Sequence, residues 1–274
     1  MNNITLGQFF PGNSILHRID PRLKIFLSVA YIVAIFLAKG AVSYGLMIIL
    51  TIIMILISGI RFSVLLKNLK PLILILVITV LINLFMYSGT HGEPLVSFWK
   101  ISIYREGIIN AAYMVLRIIC MIIGTSVILT YTTSPIAITD GLEQMLAPLA
   151  KIKLPVHEFS MMMTIALRFV PTIIEETTKI TQAQKARGAN LSTGSFIQRA
   201  KAFIPILIPL FVSSFKRADE LATAMECRCY RGGKGRTKMN ILRFGWIDLF
   251  AFLFTAALIT GIVFLNIYFP ILVV

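Results

Sequence analysis

Charged residues are scarce in this chain. Asp, Glu, Lys and Arg make up 14% of its 274 residues, hydrophobic residues make up 57%, and the mean hydropathy is +0.86. A soluble globular domain carries about 25% charged residues to keep its surface polar. The composition therefore excludes a soluble domain and indicates a polytopic membrane protein.

Sequence motifs for nucleotide hydrolysis and for catalysis are missing. The only Gly-Lys cluster, RGGKGR at residues 231–236, lacks the spacing of a phosphate-binding loop and the Ser or Thr that follows its lysine. The chain contains no G-x-S-x-G or H-E-x-x-H motif and no pair of aspartates in a hydrophobic stretch. We therefore expect no ATPase activity and no enzyme active site in this chain.

Cysteine is also rare, with three residues at Cys120, Cys227 and Cys229. The last two lie in a segment predicted below to be cytoplasmic, where structural disulfides are unusual. A single C-x-C without a second pair is weak evidence for a metal site. We expect no disulfide, no metal and no cofactor. We also expect no cleavable signal peptide, because residues 1–19 lack its apolar core.

Five hydrophobic stretches approach or exceed the length of a bilayer span. About 20 apolar residues are needed to cross about 30 Å of hydrocarbon at 1.5 Å per residue. The first stretch is short and can cross if Lys24 and Lys39 extend to the headgroups. The predicted spans are residues 23–38, 41–60, 71–88, 107–131 and, within a C-terminal region of residues 244–274, one further helix.

The distribution of Lys and Arg among the short loops predicts the orientation. Cations precede the first span and follow the second, whereas the loop between them has only Lys39. This bias places the N-terminus and residues 132–243 in the cytoplasm and the C-terminus outside. The positive-inside bias and attraction to anionic lipid headgroups are one explanation for much of the basic charge. The basic residues alternate with aliphatic runs and match no nucleic-acid-binding motif, so no nucleic acid partner is expected.

Within residues 132–243, two polar segments each end in an arginine tripeptide. Arg187 lies between Ala186 and Gly188, and Arg228 lies between Cys227 and Cys229. Aligned on these arginines, AQKARG resembles AMECRC, an internal repeat offset by 41 residues. A cation at a helix C-terminus also complements the helix dipole, by about 0.3 to 1 kcal/mol. Two such ends in one chain favour a shared task, namely docking into acidic grooves that bind a planar guanidinium.

The rest of this region is predicted to form shorter helices. Residues 138–152 have a helical apolar stripe and are expected to lie at the membrane interface. A helix over residues 156–170 is predicted to lead through Pro171 into the first arginine helix. Residues 202–214 are apolar, but Pro205 and Pro209 and the short length favour a kinked helix in the cytoplasm or at the interface over a sixth span.

Arg117 is a basic residue well inside a predicted span. A charge at the centre of a bilayer costs about 2.5 kcal/mol or more, which makes Arg117 a candidate functional charge, in a buried pair or along a substrate pathway. Alternatively, its side chain extends towards the headgroups or binds a carbonyl of a neighbouring helix.

The sequence resembles the transmembrane coupling subunit, or T component, of energy-coupling-factor vitamin transporters, which are ABC importers. The matching segments occur in this order: PGNSILHRIDPRLK, TDGLEQMLAPL, IALRFVPTIIEE, ITQAQKARGA and RADELATAMECRCYRGG. They extend over most of the chain, and the combination is highly specific for this family.

The resemblance implies an all-α polytopic membrane protein with about five transmembrane helices and long amphipathic cytoplasmic coupling helices. It implies a non-catalytic scaffold that couples ATP hydrolysis by two associated ATPase subunits, alike or different, to vitamin uptake through a small membrane S component. The family's two Ala-Arg-Gly motifs fall on Ala186, Arg187 and Gly188 and on Cys227, Arg228 and Cys229, which are thus expected to dock the ATPases.

The second motif departs from the family pattern on both flanks of its arginine. Cys229 adopts a positive φ less easily than glycine, so the helix is expected to continue towards Gly232 and Gly233. Two other functions remain open from the residues themselves: a self-sufficient permease with Arg117 on its substrate path, and a membrane-bound enzyme. The sequence does not name the vitamin.

Overall fold

The computed structural model describes residues 9–86, 96–98, 101–148, 155–189, 195–232, 242 and 244–268. Its residues group into two compact units, Met1–Gly141 with Leu242–Val274, and Leu142–Ile241. The described helices are α1 Ile15–Arg18, α2 Pro21–Leu37, α3 Ala41–Ser58, α4 Phe62–Leu69, α5 Ile73–Met86, α6 Arg105–Thr125, α7 Pro135–Leu146, α8 Val156–Ala186, α9 Phe196–Cys227 and α10 Trp246–Tyr268.

Shorter elements join or extend these helices. A 3₁₀ turn, Lys70–Leu72, links α4 to α5, and a π-helical segment, Ser126–Tyr131, extends α6. Between α5 and α6 lies a small antiparallel hairpin, β1 Val96–Phe98 and β2 Ile101–Ile103. The hairpin lies between the third and fourth predicted spans, where no strand was predicted. The all-α polytopic architecture predicted from the sequence is confirmed.

Five described helices are long and apolar enough to cross a membrane: Ala41–Ser58, Phe62–Phe85, Arg105–Tyr131, Ile197–Cys227 and Trp246–Tyr268. Four of them fall on predicted spans, although the third predicted span begins earlier, at Phe62. The fifth, Ile197–Cys227, contains residues 202–214, which were predicted to lie in the cytoplasm or at the interface, and α2 has only 17 residues. That α2 crosses the bilayer and that α9 does not therefore both stay predictions.

Helix α2 is the centre of the first unit and packs against α6 and α10. Its Tyr31 is 4% exposed, and the hydroxyl hydrogen-bonds Thr51 Oγ1 at 2.7 Å and donates to the Cys120 carbonyl at 3.1 Å. Gly124 on α6 makes room for this ring, because a Cβ there would lie 2.2 Å from it. Helices α2 and α6 can therefore approach this closely only with glycine at this position.

The start of α2 is fixed by buried charges. Asp20 caps the helix by accepting from the Arg22 amide at 2.9 Å, and its own amide donates to Asp248 Oδ1 of α10 at 2.8 Å. Lys24 is 1% exposed and donates to the Thr132 carbonyl at 2.9 Å. The expectation that Lys24 extends to the headgroups is wrong, since its ammonium is bound inside the protein. The capping residue and α10 together fix where α2 begins.

In the second unit, α8 and α9 are longer than the sequence predicted. The two helices expected to meet at Pro171 form one continuous helix of 31 residues, and α9 runs through Pro205 and Pro209 for 32 residues. Each proline removes only one main-chain hydrogen bond. Because Pro209 has no N–H, the Pro205 carbonyl lacks its helical donor, and the Gln184 side chain of α8 donates to it at 3.5 Å.

Candidate functional site

The C-terminus of α8 forms a tight helix stop around Arg187. The helix ends at Ala186, Arg187 is the cap, and Gly188 adopts a φ of +87°. The Gly188 amide donates to the Lys185 carbonyl at 3.0 Å, and the Ala189 amide donates to the Gln184 carbonyl at 2.9 Å. This pair of bonds is the Schellman motif, which satisfies the last carbonyls of a helix. We call Ala186, Arg187 and Gly188 the α8 tip.

The C-terminus of α9 repeats this geometry around Arg228. The Cys229 amide donates to the Glu226 carbonyl at 2.8 Å, and the Tyr230 amide donates to the Met225 carbonyl at 3.0 Å. Cys229 takes the position of the glycine, with a φ of +58°. We call Cys227, Arg228 and Cys229 the α9 tip.

The structure therefore corrects the expectation for the second helix end. Helix α9 ends at Cys227 and does not continue to Gly232, whose own φ is +82°, while Gly233 lies outside the described residues. The two backbone hydrogen bonds of the Schellman motif hold Cys229 in the left-handed region. A non-glycine residue there costs about 1 to 2 kcal/mol. The α9 tip thus reproduces the shape of the α8 tip with a strained residue.

All six predicted docking residues are exposed. Within the described part of the chain, neither the Arg187 nor the Arg228 guanidinium has a hydrogen-bond or ion-pair partner. A guanidinium presents five N–H donors in a planar fork that matches a carboxylate. Helix-dipole stabilisation also applies at both ends, but it leaves these donors free for a partner.

Helices α8 and α9 run antiparallel. Gln184, near the end of α8, contacts Pro205 in the first half of α9, and an apolar groove of about 270 Å³ places Ile165 of α8 beside Met225 of α9. The two tips consequently lie at opposite ends of the helix pair. At 1.5 Å per residue, Arg228 is about 35 Å further along α9 than Pro205.

The helix pair is held by an ion pair that the sequence interpretation missed. Arg217 Nη2 of α9 lies 2.6 Å from Glu176 Oε2 of α8. The internal repeat contained a signal for it, because the offset of 41 residues that aligns the two arginine tips also aligns Glu176 with Arg217. An antiparallel pair of repeated helices brings equivalent positions together at its crossing.

Arg117 is held by aromatic side chains of two neighbouring helices, Phe36 of α2 and Tyr44 of α3. Its Nε donates to the Tyr44 hydroxyl at 2.8 Å, and its guanidinium lies 5.6 Å from the centre of the Tyr44 ring and 5.8 Å from that of Phe36. Tyr44 also stacks on Tyr113, with ring centres 5.0 Å apart. Cation–π contacts of this kind stabilise a desolvated guanidinium. A functional role for Arg117 stays a prediction.

Comparisons with known proteins match nearly the whole chain. The family model of the CbiQ cobalt transport protein matches residues 12–239. The energy-coupling factor transporter transmembrane protein EcfT of Clostridium kluyveri is 50% identical over 259 residues, which is 94% of this chain and 95% of that protein.

Relatives of the same name are found in other bacteria. The protein of Ruminiclostridium cellulolyticum is 50% identical over 263 residues, covering 96% of this chain and 97% of its own length. That of Bacillus subtilis is 45% identical over 245 residues, covering 88% and 90%. The chain therefore belongs to the CbiQ and EcfT family and is a multi-pass membrane component of an energy-coupling factor transporter.

Proposed function

We propose that this protein couples ATP hydrolysis by two partner ATPase subunits to the uptake of a vitamin or similar micronutrient that a separate membrane S component binds. The observation that carries the proposal is the pair of matching helix ends. Arg187 and Arg228 are both exposed, both cap a long helix, and both sit in the same Schellman geometry. In this proposal, each arginine places its guanidinium in an acidic groove of an ATPase subunit.

The separation of the tips supports two docking sites rather than one. Because α8 and α9 are antiparallel, the two arginines point away from opposite ends of the pair and cannot enter the same groove. Two ATPase subunits, each with one acidic groove, satisfy both arginines. Closure of these subunits on ATP would then move the ends of α8 and α9.

The apolar surfaces support a second kind of partner. In the first half of α9, large hydrophobic side chains are exposed, among them Phe203, Leu207 and Phe211. Exposed hydrophobic surfaces of this extent are covered by lipid or by another membrane protein. In this proposal they receive the lipid and the S component, and the bound vitamin is chosen by the S component.

The experiment is coexpression of the chain with its ATPase subunits and an S component, followed by affinity purification through the S component. Arg187→Ala and Arg228→Ala should each reduce the ATPase recovered, because truncating one partner of a desolvated charge pair costs about 2 to 5 kcal/mol. Arg→Lys should rescue only in part, since an ammonium does not form the planar fork. The double mutant should be worse than either single one.

Lys185→Ala is the matched control, because Lys185 is an exposed cation in the last turn of α8 outside the tip. It should leave ATPase recovery unchanged. Equal recovery from the parent and both arginine variants would refute the docking assignment. Uptake without any copurifying ATPase would instead favour a self-sufficient permease.

A further inference from the structure

The ion pair between α8 and α9 joins two residues with the same spacing along the chain as the two tip arginines. Glu176 and Arg217 are 41 residues apart, the same offset that separates Arg187 from Arg228. In the antiparallel pair, Arg217 Nη2 of α9 lies 2.6 Å from Glu176 Oε2 of α8.

Two equal helical arms extend from this contact to the tips. Residues 176–187 and residues 217–228 have the same length and contain neither proline nor glycine. At 1.5 Å per residue, each arm is about 16 Å long. Pro171 precedes Glu176 in α8, and Pro205 and Pro209 precede Arg217 in α9, so each arm is an uninterrupted helix.

Little else fixes the position of the crossing. The groove beside it is apolar and lined in part by Phe169, Ile173, Leu221 and Ala222. Apolar contacts are non-directional and tolerate sliding and rotation, whereas an ion pair fixes two atoms. Among the described residues, Glu176 and Arg217 form the one ion pair between these helices, and the contact of Gln184 with Pro205 is long, at 3.5 Å.

We propose that Glu176 and Arg217 are a positioning pair that serves as the fulcrum of α8 and α9, so that displacement of one arginine tip is transmitted to the other with equal arms. The proposal rests on the proposed function of the tips as ATPase docking sites. Loss of the ion pair leaves both arginines able to dock but uncouples their movements. ATP hydrolysis then continues with less transport.

The first measurement is the distance between spin labels on the two arms, in the full-length protein reconstituted in lipid nanodiscs. Labels are placed at the exposed equivalent positions Gln182 and Thr223, in a background without native cysteines. The parent should give one narrow distance distribution, and Glu176→Gln should broaden it. The charge-exchanged double variant Glu176→Arg with Arg217→Glu should narrow it again.

The second measurement is vitamin transported per ATP hydrolysed in the reconstituted complex. Glu176→Gln should lower this ratio about tenfold. We expect this size because the ion pair is partly buried, so its contribution lies between those of exposed and fully buried ion pairs. The charge exchange should restore it. Copurification of the ATPase subunits should be unchanged, which distinguishes failure of the fulcrum from failure of tip docking.

Glu175→Gln and Lys216→Gln are the matched controls, because each removes one exposed charge next to the ion pair. Both should retain the parent's distances and transport ratio. The proposal is overturned if Glu176→Gln behaves like Glu175→Gln in both measurements, or if the charge exchange restores neither of them.

Discussion

The two tips have the same Schellman geometry but different residues at the positive-φ position, Gly188 in α8 and Cys229 in α9. Substitutions at these two positions should therefore have opposite effects. Cys229 has a φ of +58°, where a non-glycine residue costs about 1 to 2 kcal/mol. Cys229→Gly removes this strain but adds backbone freedom to the unfolded chain, worth roughly 0.5 to 1 kcal/mol. The net stabilisation of the α9 tip should be about 0.5 to 1 kcal/mol, or roughly two- to fivefold in its opening equilibrium.

Gly188→Ala makes the opposite change at the α8 tip. Gly188 has a φ of +87° and open space around it, since a Cβ there would meet nothing within 4 Å. The cost is therefore backbone strain without steric overlap. The α8 tip should lose about as much stability as the α9 tip gains.

Hydrogen exchange of the amides that close the two motifs measures both effects. Protection should rise at Tyr230 in Cys229→Gly and fall at Ala189 in Gly188→Ala. Cys229→Ala is the matched control, because it removes the thiol and keeps the strain, so protection of Tyr230 should stay at the parental level. The reasoning is refuted if Cys229→Ala protects Tyr230 as well as Cys229→Gly does, or if Cys229→Gly lowers the protection.

Three further predictions concern the first unit and the whole chain. Gly124→Ala should lower the thermal midpoint of the purified protein, because its Cβ would overlap the Tyr31 ring at a cost of about 1 to 3 kcal/mol, whereas Gly261→Ala, which has open space, should not. A cysteine placed in residues 89–106 should react with an impermeant reagent from outside intact cells; labelling only after permeabilisation would contradict the predicted orientation. The isolated chain should neither hydrolyse ATP nor bind vitamin tightly, and nanomolar vitamin binding by this chain alone would favour the permease alternative.

The end of α8 was predictable because helix termination is a local property. The repeated arginine and the glycine after Arg187 indicated where this helix stops. The prediction failed at Cys229, where the hydrogen bonds of the Schellman motif outweigh the preference of a single residue. It also failed at Pro171, because proline lowers helix propensity but does not break a helix whose packing continues on both sides.

Contacts between distant segments were not predictable from single positions. Tyr44 is 73 residues from Arg117, and nothing in either neighbourhood indicates that the two side chains meet. The contact of Lys24 with Thr132 is similarly distant, so a lysine at the start of a short span was assigned to the headgroups. Of these three contacts, only that of Glu176 with Arg217 was indicated by the sequence. The indication was the 41-residue offset between the two arginine tips, not the identity of either residue.

The central claim is that the α8 and α9 tips contact two ATPase subunits. Photo-cross-linking in the assembled transporter tests it most directly, with a photoreactive residue at Ala186 or at Cys227 and, as a control, at Glu175 near the crossing. We predict that both tip positions cross-link to an ATP-binding subunit, that Glu175 does not, and that Arg187→Ala or Arg228→Ala abolishes the cross-link at its own tip. Cross-links from both tips only to lipid or to the S component would contradict the account.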